Sequence, residues 1–115
     1  MITPRITFPE KDYQRIKDGD ITGIVKPASH RLNLKVYDWI PIIFKDTNDN
    51  IMVEIEDICF ISFKNLNLDT ALACGFDTVN ELKQYLVEHY PTLDNASRLY
   101  LYNFFVVAVS EKVGE

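Results

Sequence analysis

A run of residues without a single carboxylate holds four side chains that can bind an anion. The run spans positions 21–37, and its basic residues are Lys26, His30, Arg31 and Lys35. In a chain with a formal net charge of −5, this stretch is a local anomaly. Because Lys and Arg donate charge-assisted hydrogen bonds to phosphates and carboxylates, the run favours a surface that contacts an anionic ligand. A solvated loop that happens to be basic remains the alternative.

Two uncharged residues extend this candidate site. Thr22 supplies a hydroxyl, and Tyr37 lies at the end of the basic run beside Asp38. An aromatic ring in a loop offers a face on which a nucleic-acid base can stack. The sequence therefore predicts a phosphate-bearing ligand, either a nucleotide or a short single-stranded RNA. The predicted ligand-binding residues are Thr22, Lys26, His30, Arg31, Lys35 and Tyr37.

One segment partly matches a calcium-binding loop. Asp46, Asn48 and Asn50 occupy its first three side-chain positions, but Ile51 stands where the loop needs glycine and Asp57 where it needs glutamate. Asn and Asp also form turns by bonding to their own backbone. We therefore predict a turn here and no calcium site.

The histidines and cysteines do not predict a metal site or covalent chemistry. His30 and His89 have no ligand-spaced partners, and Cys59 and Cys74 lie within apolar patterns. We interpret the cysteines as buried, reduced thiols, with a disulfide between them as the less favoured alternative. Since the sequence also has no phosphate-binding or dinucleotide glycine motif, we expect no cofactor.

Length and composition predict one soluble domain. The chain has 115 residues, of which 47% are hydrophobic and 25% charged. It has no apolar run of roughly 20 residues that would span a membrane and no signal-peptide pattern, so we expect a cytoplasmic protein. Residues 1–109 are predicted to form the domain, and residues 110–115 a flexible tail. The acidic balance disfavours nonspecific coating of nucleic acid but allows a small basic cleft.

Hydrophobic periodicity and capping signals predict the order β-α-β-β-β-α-α-β. Thr7 to Glu10 and Thr78 to Glu81 match capping boxes at the starts of helices, and Gly19 and Gly75 match helix ends. The alternation that begins at Ile51 predicts a long, bent strand with one buried face. The predicted strands cover residues 5–7, 21–25, 39–44, 51–63 and 99–109. The fold class is therefore α+β, a small barrel flanked by helices.

Several segments in this order resemble the ASCH family, whose members have a PUA-like β-barrel. They are K-V-Y-D-W-I-P-I-I-F and A-L-A-C-G-F-D-T-V-N-E-L-K-Q-Y-L-V-E-H-Y-P, preceded by a helix ending at Gly19 and followed by an apolar strand. The resemblance covers roughly residues 6–107. It implies an RNA-related role. Enzymes of the family include a small amidohydrolase that removes acetyl groups from modified cytidine, and some relatives have ribonuclease activity.

A few positions match the amidohydrolase where the first predicted helix ends and the next strand begins. Gly19 and Thr22 match its pattern, and Lys26 keeps the charge of an arginine. In K-V-Y-D-W, Asp38 matches a Gly-Asp turn in which Tyr37 replaces the glycine.

The catalytic positions implied by the resemblance are substituted. The lysine that activates the nucleophile is Ile21, the nucleophilic threonine is Ile24, and the assisting glutamate falls at or beside Cys74-Gly75. Isoleucine can neither transfer a proton nor attack a carbonyl. We therefore expect the family's lysine–threonine–glutamate chemistry to be missing.

Three hypotheses follow. The favoured one is a non-catalytic ASCH-like module that binds RNA or a nucleotide through its basic residues. The alternative is a divergent hydrolase, an amidohydrolase on a modified nucleoside or a ribonuclease, with Lys26 or His30 as a base near Thr22. The third is a protein-interaction domain whose acidic surface meets a basic partner. That surface would be formed by Glu54, Glu56 and Asp57.

Overall fold

The computed structural model describes residues 5–45, 47 and 49–110, with the side chain of Ser110 excepted. Two residues of the calcium-loop pattern, Asp46 and Asn48, lie outside the described residues, as does the predicted tail beyond Ser110. In the described part, the Asp49 amide donates to the Thr47 hydroxyl at 3.1 Å, and the Thr47 amide donates to the Phe44 carbonyl at 3.3 Å. Such short-range bonds are typical of the turn predicted for this segment.

The secondary structure follows the predicted order. The strands are Ile6–Phe8 (β1), Gly23–Pro27 (β2), Trp39–Phe44 (β3), Asn50–Ser62 (β4) and Arg98–Ser110 (β5). The α-helices are Tyr13–Lys17 (α1), Leu68–Ala73 (α2) and Val79–His89 (α3). Short 3-10 turns occupy Glu10–Asp12, Ala28–His30 and Phe63–Asn65. Within the described residues, no helix is long and apolar enough to cross a membrane.

The strands form one curled, half-barrel sheet with the order β1-β3-β4-β5-β2. The β1–β3 pair is parallel and the other pairs are antiparallel. The ladder between β4 and β5 shifts register at Met52/Val53 and at Ile55/Asp57. Such irregularities bend a strand and increase its twist, so the two long strands curl the sheet. The predicted α+β fold with a barrel-like sheet is confirmed, and β1 and β2 form its two edges.

Two apolar clusters hold the sheet and helices together. One fills the inside of the half-barrel and includes Tyr102 and Phe104, whereas the other lies under α2 and α3 and includes Leu99 and Leu101. Because side chains alternate along a strand, β5 contributes to both clusters in turn. The sheet is therefore buried on both faces here, which fixes α2 and α3 against β2 and β5.

One predicted capping box is confirmed and the other is wrong. The Glu81 amide donates to the Thr78 hydroxyl at 3.1 Å at the start of α3. Thr7 instead lies in β1, paired with Ile43, and the helical turn after Pro9 has no side-chain cap. The parallel pairing with β3 keeps Thr7 extended and overrides the local signal.

The strand predicted for residues 21–25 begins two residues later. The Ile21 amide donates to the Arg15 carbonyl at 3.2 Å and the Thr22 amide to the Ala73 carbonyl at 2.8 Å. Both residues therefore bond to helix ends, and β2 starts at Gly23.

A buried hydroxyl holds the loop between β2 and β3. Tyr102 is 1% exposed, and its hydroxyl accepts from the Leu32 amide at 2.9 Å and donates to the Leu32 carbonyl at 3.0 Å. Leu34 of the same loop is buried in the first apolar cluster. The loop that carries His30 and Arg31 is thus attached to β5 and to the first apolar cluster.

Tyr102→Phe should lower the free energy of unfolding by about 1–3 kcal/mol, because it leaves both backbone groups of Leu32 without their partner. Tyr100→Phe, which removes a hydroxyl two residues away on the same strand, is the matched control and should cost less. Urea denaturation of the two variants measures the difference. Equal stabilities would contradict a structural role for the Tyr102 hydroxyl.

Candidate functional site

A cleft of about 340 Å³ lies where the two edges of the sheet approach each other without pairing. One wall comes from β1 and α1, the second from β2, and the third from the end of α2 and one side of α3. A concave site of this size between secondary-structure elements is the usual location for a small ligand.

Two helix ends of the same type meet where Arg15, Ile21 and Gly75 line the cleft. Helix α1 ends at Gly19, with φ of 83°, and α2 ends at Gly75, with φ of 92°. In each case the amide after the glycine donates to the carbonyl five residues earlier, at 2.8 Å. This is the Schellman arrangement, which needs a left-handed residue and so favours glycine.

These two helix ends pack directly against each other. The Thr22 amide donates to the Ala73 carbonyl at 2.8 Å, and Arg15 Nη2 donates to the Gly75 carbonyl at 2.9 Å. A Cβ atom on Gly75 would lie 2.9 Å from two carbons of the Ile21 side chain. The contact is therefore closed by two hydrogen bonds and has no room for a larger residue than glycine.

The same contact involves two positions at which the resemblance implies catalytic residues. Ile21, at the lysine position, is 2% exposed and touches Gly75, at the glutamate position. Ile24, at the threonine position, packs against the cluster inside the half-barrel. The structure brings the lysine and glutamate positions together, but with an apolar contact in place of an acid–base pair.

Charges of both signs line the cleft. The cations are Lys11, Arg15 and Lys26, and the carboxylates are Asp12 and Glu81. Sequence reasoning found Lys26 but missed Lys11 and Arg15, because they lie in residues 10–20, where Asp and Glu before and after α1 offset their charge. Arg15 precedes the helix-ending Gly19 by four residues, yet only the contact with Gly75 shows that it faces the cleft.

Aromatic rings form one wall of the cleft. Phe76, Tyr85 and Tyr90 line it, and the rings of Phe76 and Tyr85 have centroids 5.3 Å apart. The Tyr90 hydroxyl lies 3.3 Å from Lys26 Nζ, which donates to it. All three rings belong to the segment A-L-A-C-G-F-D-T-V-N-E-L-K-Q-Y-L-V-E-H-Y-P, one of those that carry the resemblance.

Two side chains that line the cleft, Tyr85 and Cys74, have raised pKa values. Burial raises the pKa of Tyr85, and Tyr90, Asp12 and Cys74 act in the same direction. Burial also raises the pKa of Cys74 to about 12, against the smaller effect of a backbone hydrogen bond from Val25. At neutral pH the Tyr85 hydroxyl can donate a hydrogen bond, whereas the Cys74 thiol is a poor nucleophile.

Both cysteines are free, as predicted, but they are partly buried instead of fully buried. A hydrogen bond from Cys59 Sγ to Asp57 Oδ2, at 3.1 Å, is the main cause of a raised pKa at Cys59. Among the described residues, no group of three or more His, Cys, Asp and Glu side chains is arranged to hold a metal ion.

Three of the predicted ligand-binding residues lie at or near the cleft. Lys26 lines it. The His30 ring lies outside the cleft lining, with its centroid 4.9 Å from that of Tyr90, and Arg31 is the next residue and is exposed. The structure therefore places Lys26 and His30 next to Tyr90, and Arg31 follows His30 on the same loop.

The other three predicted residues do not line the cleft. Thr22 lies in the contact between the helix ends and is partly buried. Lys35 and Tyr37 belong to a turn in which the Tyr37 amide donates to the Ile55 carbonyl at 2.8 Å, with a φ of 77° at Tyr37. Tyr37 is 78% exposed. The basic run thus divides into a part at the cleft and a part at this turn.

Gly75→Ala should destabilise the fold more than Gly19→Ala. Both changes put a side chain at positive φ, at a cost of about 1 kcal/mol or more. A methyl group at Gly19 meets nothing within 4 Å, whereas one at Gly75 overlaps Ile21. We expect Gly75→Ala to lower the free energy of unfolding by about 1–3 kcal/mol more than Gly19→Ala does, as measured by urea denaturation. Equal costs would show that the two helix ends are not in tight contact.

The fold matches solved structures at low sequence identity. A protein from Enterococcus faecalis V583 of the DUF984 family has a TM-score of 0.73 and 14% identity, over 100% of this chain and 87% of the other. An ASCH domain from Lactobacillus crispatus has a TM-score of 0.70 and 13% identity, over 89% of this chain and 79% of the other.

A mutant of the ASCH protein ZmASCH from Zymomonas mobilis matches with a TM-score of 0.61 and 11% identity, over 94% of this chain and 72% of the other. No protein-family model and no curated protein matches the sequence. The resemblance inferred from the order of segments is thus supported by structure, and the chain has an ASCH-like fold.

Proposed function

We propose that this protein is a non-catalytic binding module whose cleft accepts a nucleotide, either free or as part of a short single-stranded RNA. The observation that carries the proposal is the combination, in one cleft, of an aromatic wall with three cations. Lys26 and Tyr90 join the two features through their 3.3 Å hydrogen bond. Aromatic rings and cations are the groups that bind the bases and phosphates of single-stranded nucleic acid.

Each part of a nucleotide has a matching group in the cleft. The phosphate would be bound by Lys26, Lys11 and Arg15, whose guanidinium is held in place by its bond to the Gly75 carbonyl. The base would lie against the ring of Tyr85. Amino and hydroxyl groups of the ligand would donate to the carboxylates of Asp12 and Glu81, which act as acceptors.

The absence of catalysis is proposed from the residues at the corner. Ile21 and Gly75 form an apolar contact where the resemblance implies lysine and glutamate, and Ile24 replaces the nucleophilic threonine. The raised pKa of Cys74 leaves its thiol protonated and so disfavours a cysteine nucleophile.

Two free cysteines also favour the reducing cytoplasm as the location.

A divergent hydrolase is the second candidate, because the cleft contains two carboxylates that can act as general bases. In that case Asp12 or Glu81 would activate a water molecule on a ligand bound as described above. Turnover of a modified nucleoside or cleavage of RNA, lost in Glu81→Gln or Asp12→Asn, would establish this candidate against the binding module.

The acidic side chains support the protein-interaction hypothesis less than the cleft supports a nucleotide ligand. Glu54 accepts a hydrogen bond from Trp39 Nε1 at 2.8 Å, and Asp57 accepts from the Ile58 amide at 3.0 Å as well as from Cys59. Because these carboxylates already accept local hydrogen bonds, they have fewer acceptor positions for the cations of a basic partner.

Lys26→Ala should weaken the binding of a short single-stranded oligoribonucleotide about tenfold, because it removes a charge-assisted hydrogen bond to phosphate. Lys64→Ala, which removes an exposed lysine that does not line the cleft, is the matched control and should bind like the wild type. Binding should also weaken as salt rises from about 50 mM to about 200 mM, and less steeply in Lys26→Ala. Fluorescence anisotropy of the labelled oligonucleotide measures both effects.

Binding that does not depend on salt, or an equal loss in the two lysine variants, would contradict the proposal. Lys35→Ala tests the sequence prediction separately. A loss as large as that of Lys26→Ala would extend the binding surface to the turn that carries Tyr37.

A further inference from the structure

A second pair of aromatic rings stands at the mouth of the cleft. Tyr90 lines the cleft, and the ring of His30 lies outside the lining with its centroid 4.9 Å from that of Tyr90, at an interplanar angle of 54°. His30 is exposed. The aromatic surface therefore continues from the cleft onto the loop between β2 and β3.

The position of the His30 ring is fixed by several contacts. Its Nδ1 atom lies 3.0 Å from Ser29 Oγ, within hydrogen-bond distance, and its ring packs on Tyr90. The loop itself is attached to the sheet by the two hydrogen bonds of the Tyr102 hydroxyl with Leu32. A ring that is already ordered loses little conformational freedom when a ligand stacks on it.

Cationic side chains lie beside these rings at the mouth of the cleft. Lys26 Nζ is bonded to the Tyr90 hydroxyl, and Arg31 directly follows His30 and is exposed. No Asp or Glu interrupts the chain between positions 21 and 37. A phosphodiester group that leaves the cleft past Tyr90 would therefore meet cations of this stretch and no carboxylate from positions 21–37.

From these observations we propose that Tyr90 and His30 form a stacking subsite for a second base, so that the ligand is a single strand of at least two nucleotides and not a mononucleotide. The first nucleotide occupies the cleft, and its neighbour stacks on His30. Lys26 and Arg31 contact the phosphates beside it. This inference rests on the proposed function, since it needs a nucleotide in the cleft.

The subsite predicts how affinity depends on ligand length. We expect the 5′-phosphorylated dinucleotides pApA and pUpU to bind at least about fivefold more tightly than adenosine and uridine 5′-monophosphates, because stacking on an aromatic side chain strengthens binding by at least this factor. His30→Ala should reduce dinucleotide affinity to that of the mononucleotide and leave mononucleotide affinity unchanged. His30→Phe, which keeps a ring, should retain the preference for the dinucleotide. Isothermal titration calorimetry at low salt measures all of these affinities.

A matched control removes an exposed aromatic ring elsewhere. Phe105 is 45% exposed and pairs across strands with Glu54, on a part of the sheet that does not line the cleft. Phe105→Ala should leave both affinities as in the wild type.

The possible failures are distinguishable. Dinucleotides that bind no more tightly than mononucleotides would overturn the subsite and leave the proposed function standing. An equal loss of both ligands in His30→Ala would also overturn it, by showing that His30 acts only by supporting Tyr90. Binding of neither ligand to the wild type would overturn the subsite and the proposed function together.

Discussion

The contact between two helix ends is the constraint on which the rest of this structure depends. Helices α1 and α2 are 50 residues apart along the chain, yet both end in a glycine with positive φ, and the two ends meet. The bonds from Thr22 to Ala73 and from Arg15 to Gly75 join the first quarter of the sequence to the helices that follow β4. Through this contact β2 starts at a defined point on the sheet. The cleft exists because α1 and α2 are held on either side of that start.

The cleft also depends on a sheet that does not close. In the order β1-β3-β4-β5-β2, the edge strands β1 and β2 both border the cleft without pairing with each other. Backbone groups at the edge of a sheet need other partners, and the bond between Val25 and the Cys74 thiol supplies one. The remaining space is bordered by three cations, Lys11, Arg15 and Lys26, and two carboxylates, Asp12 and Glu81, which gives an acidic protein a local excess of cations. An overall charge of −5 thus limits nonspecific attraction to nucleic acid while permitting binding in one place.

Much of the fold could be predicted because its signals are local. Gly19, Gly75 and the Thr78–Glu81 capping box act within one or two helical turns, and the structure has them as predicted. Thr7 shows where local signals fail, since pairing with a strand about 36 positions away decides its conformation. The site was harder to predict for the same reason. Lys26 stands out in an acid-free run, whereas Arg15 becomes a cleft residue only through a contact with Gly75, 60 residues away.

Chemical-shift mapping tests most directly whether a ligand occupies the cleft between the sheet edges. A ¹H–¹⁵N correlation spectrum would be recorded while a short single-stranded oligoribonucleotide is titrated into the wild-type protein. We predict that the amide signals of Gly23, Gly75 and Phe76, all of which line the cleft, move with the ligand and saturate together. Shifts confined to the turn of Lys35 and Tyr37, with the signals of the cleft unchanged, would contradict the account.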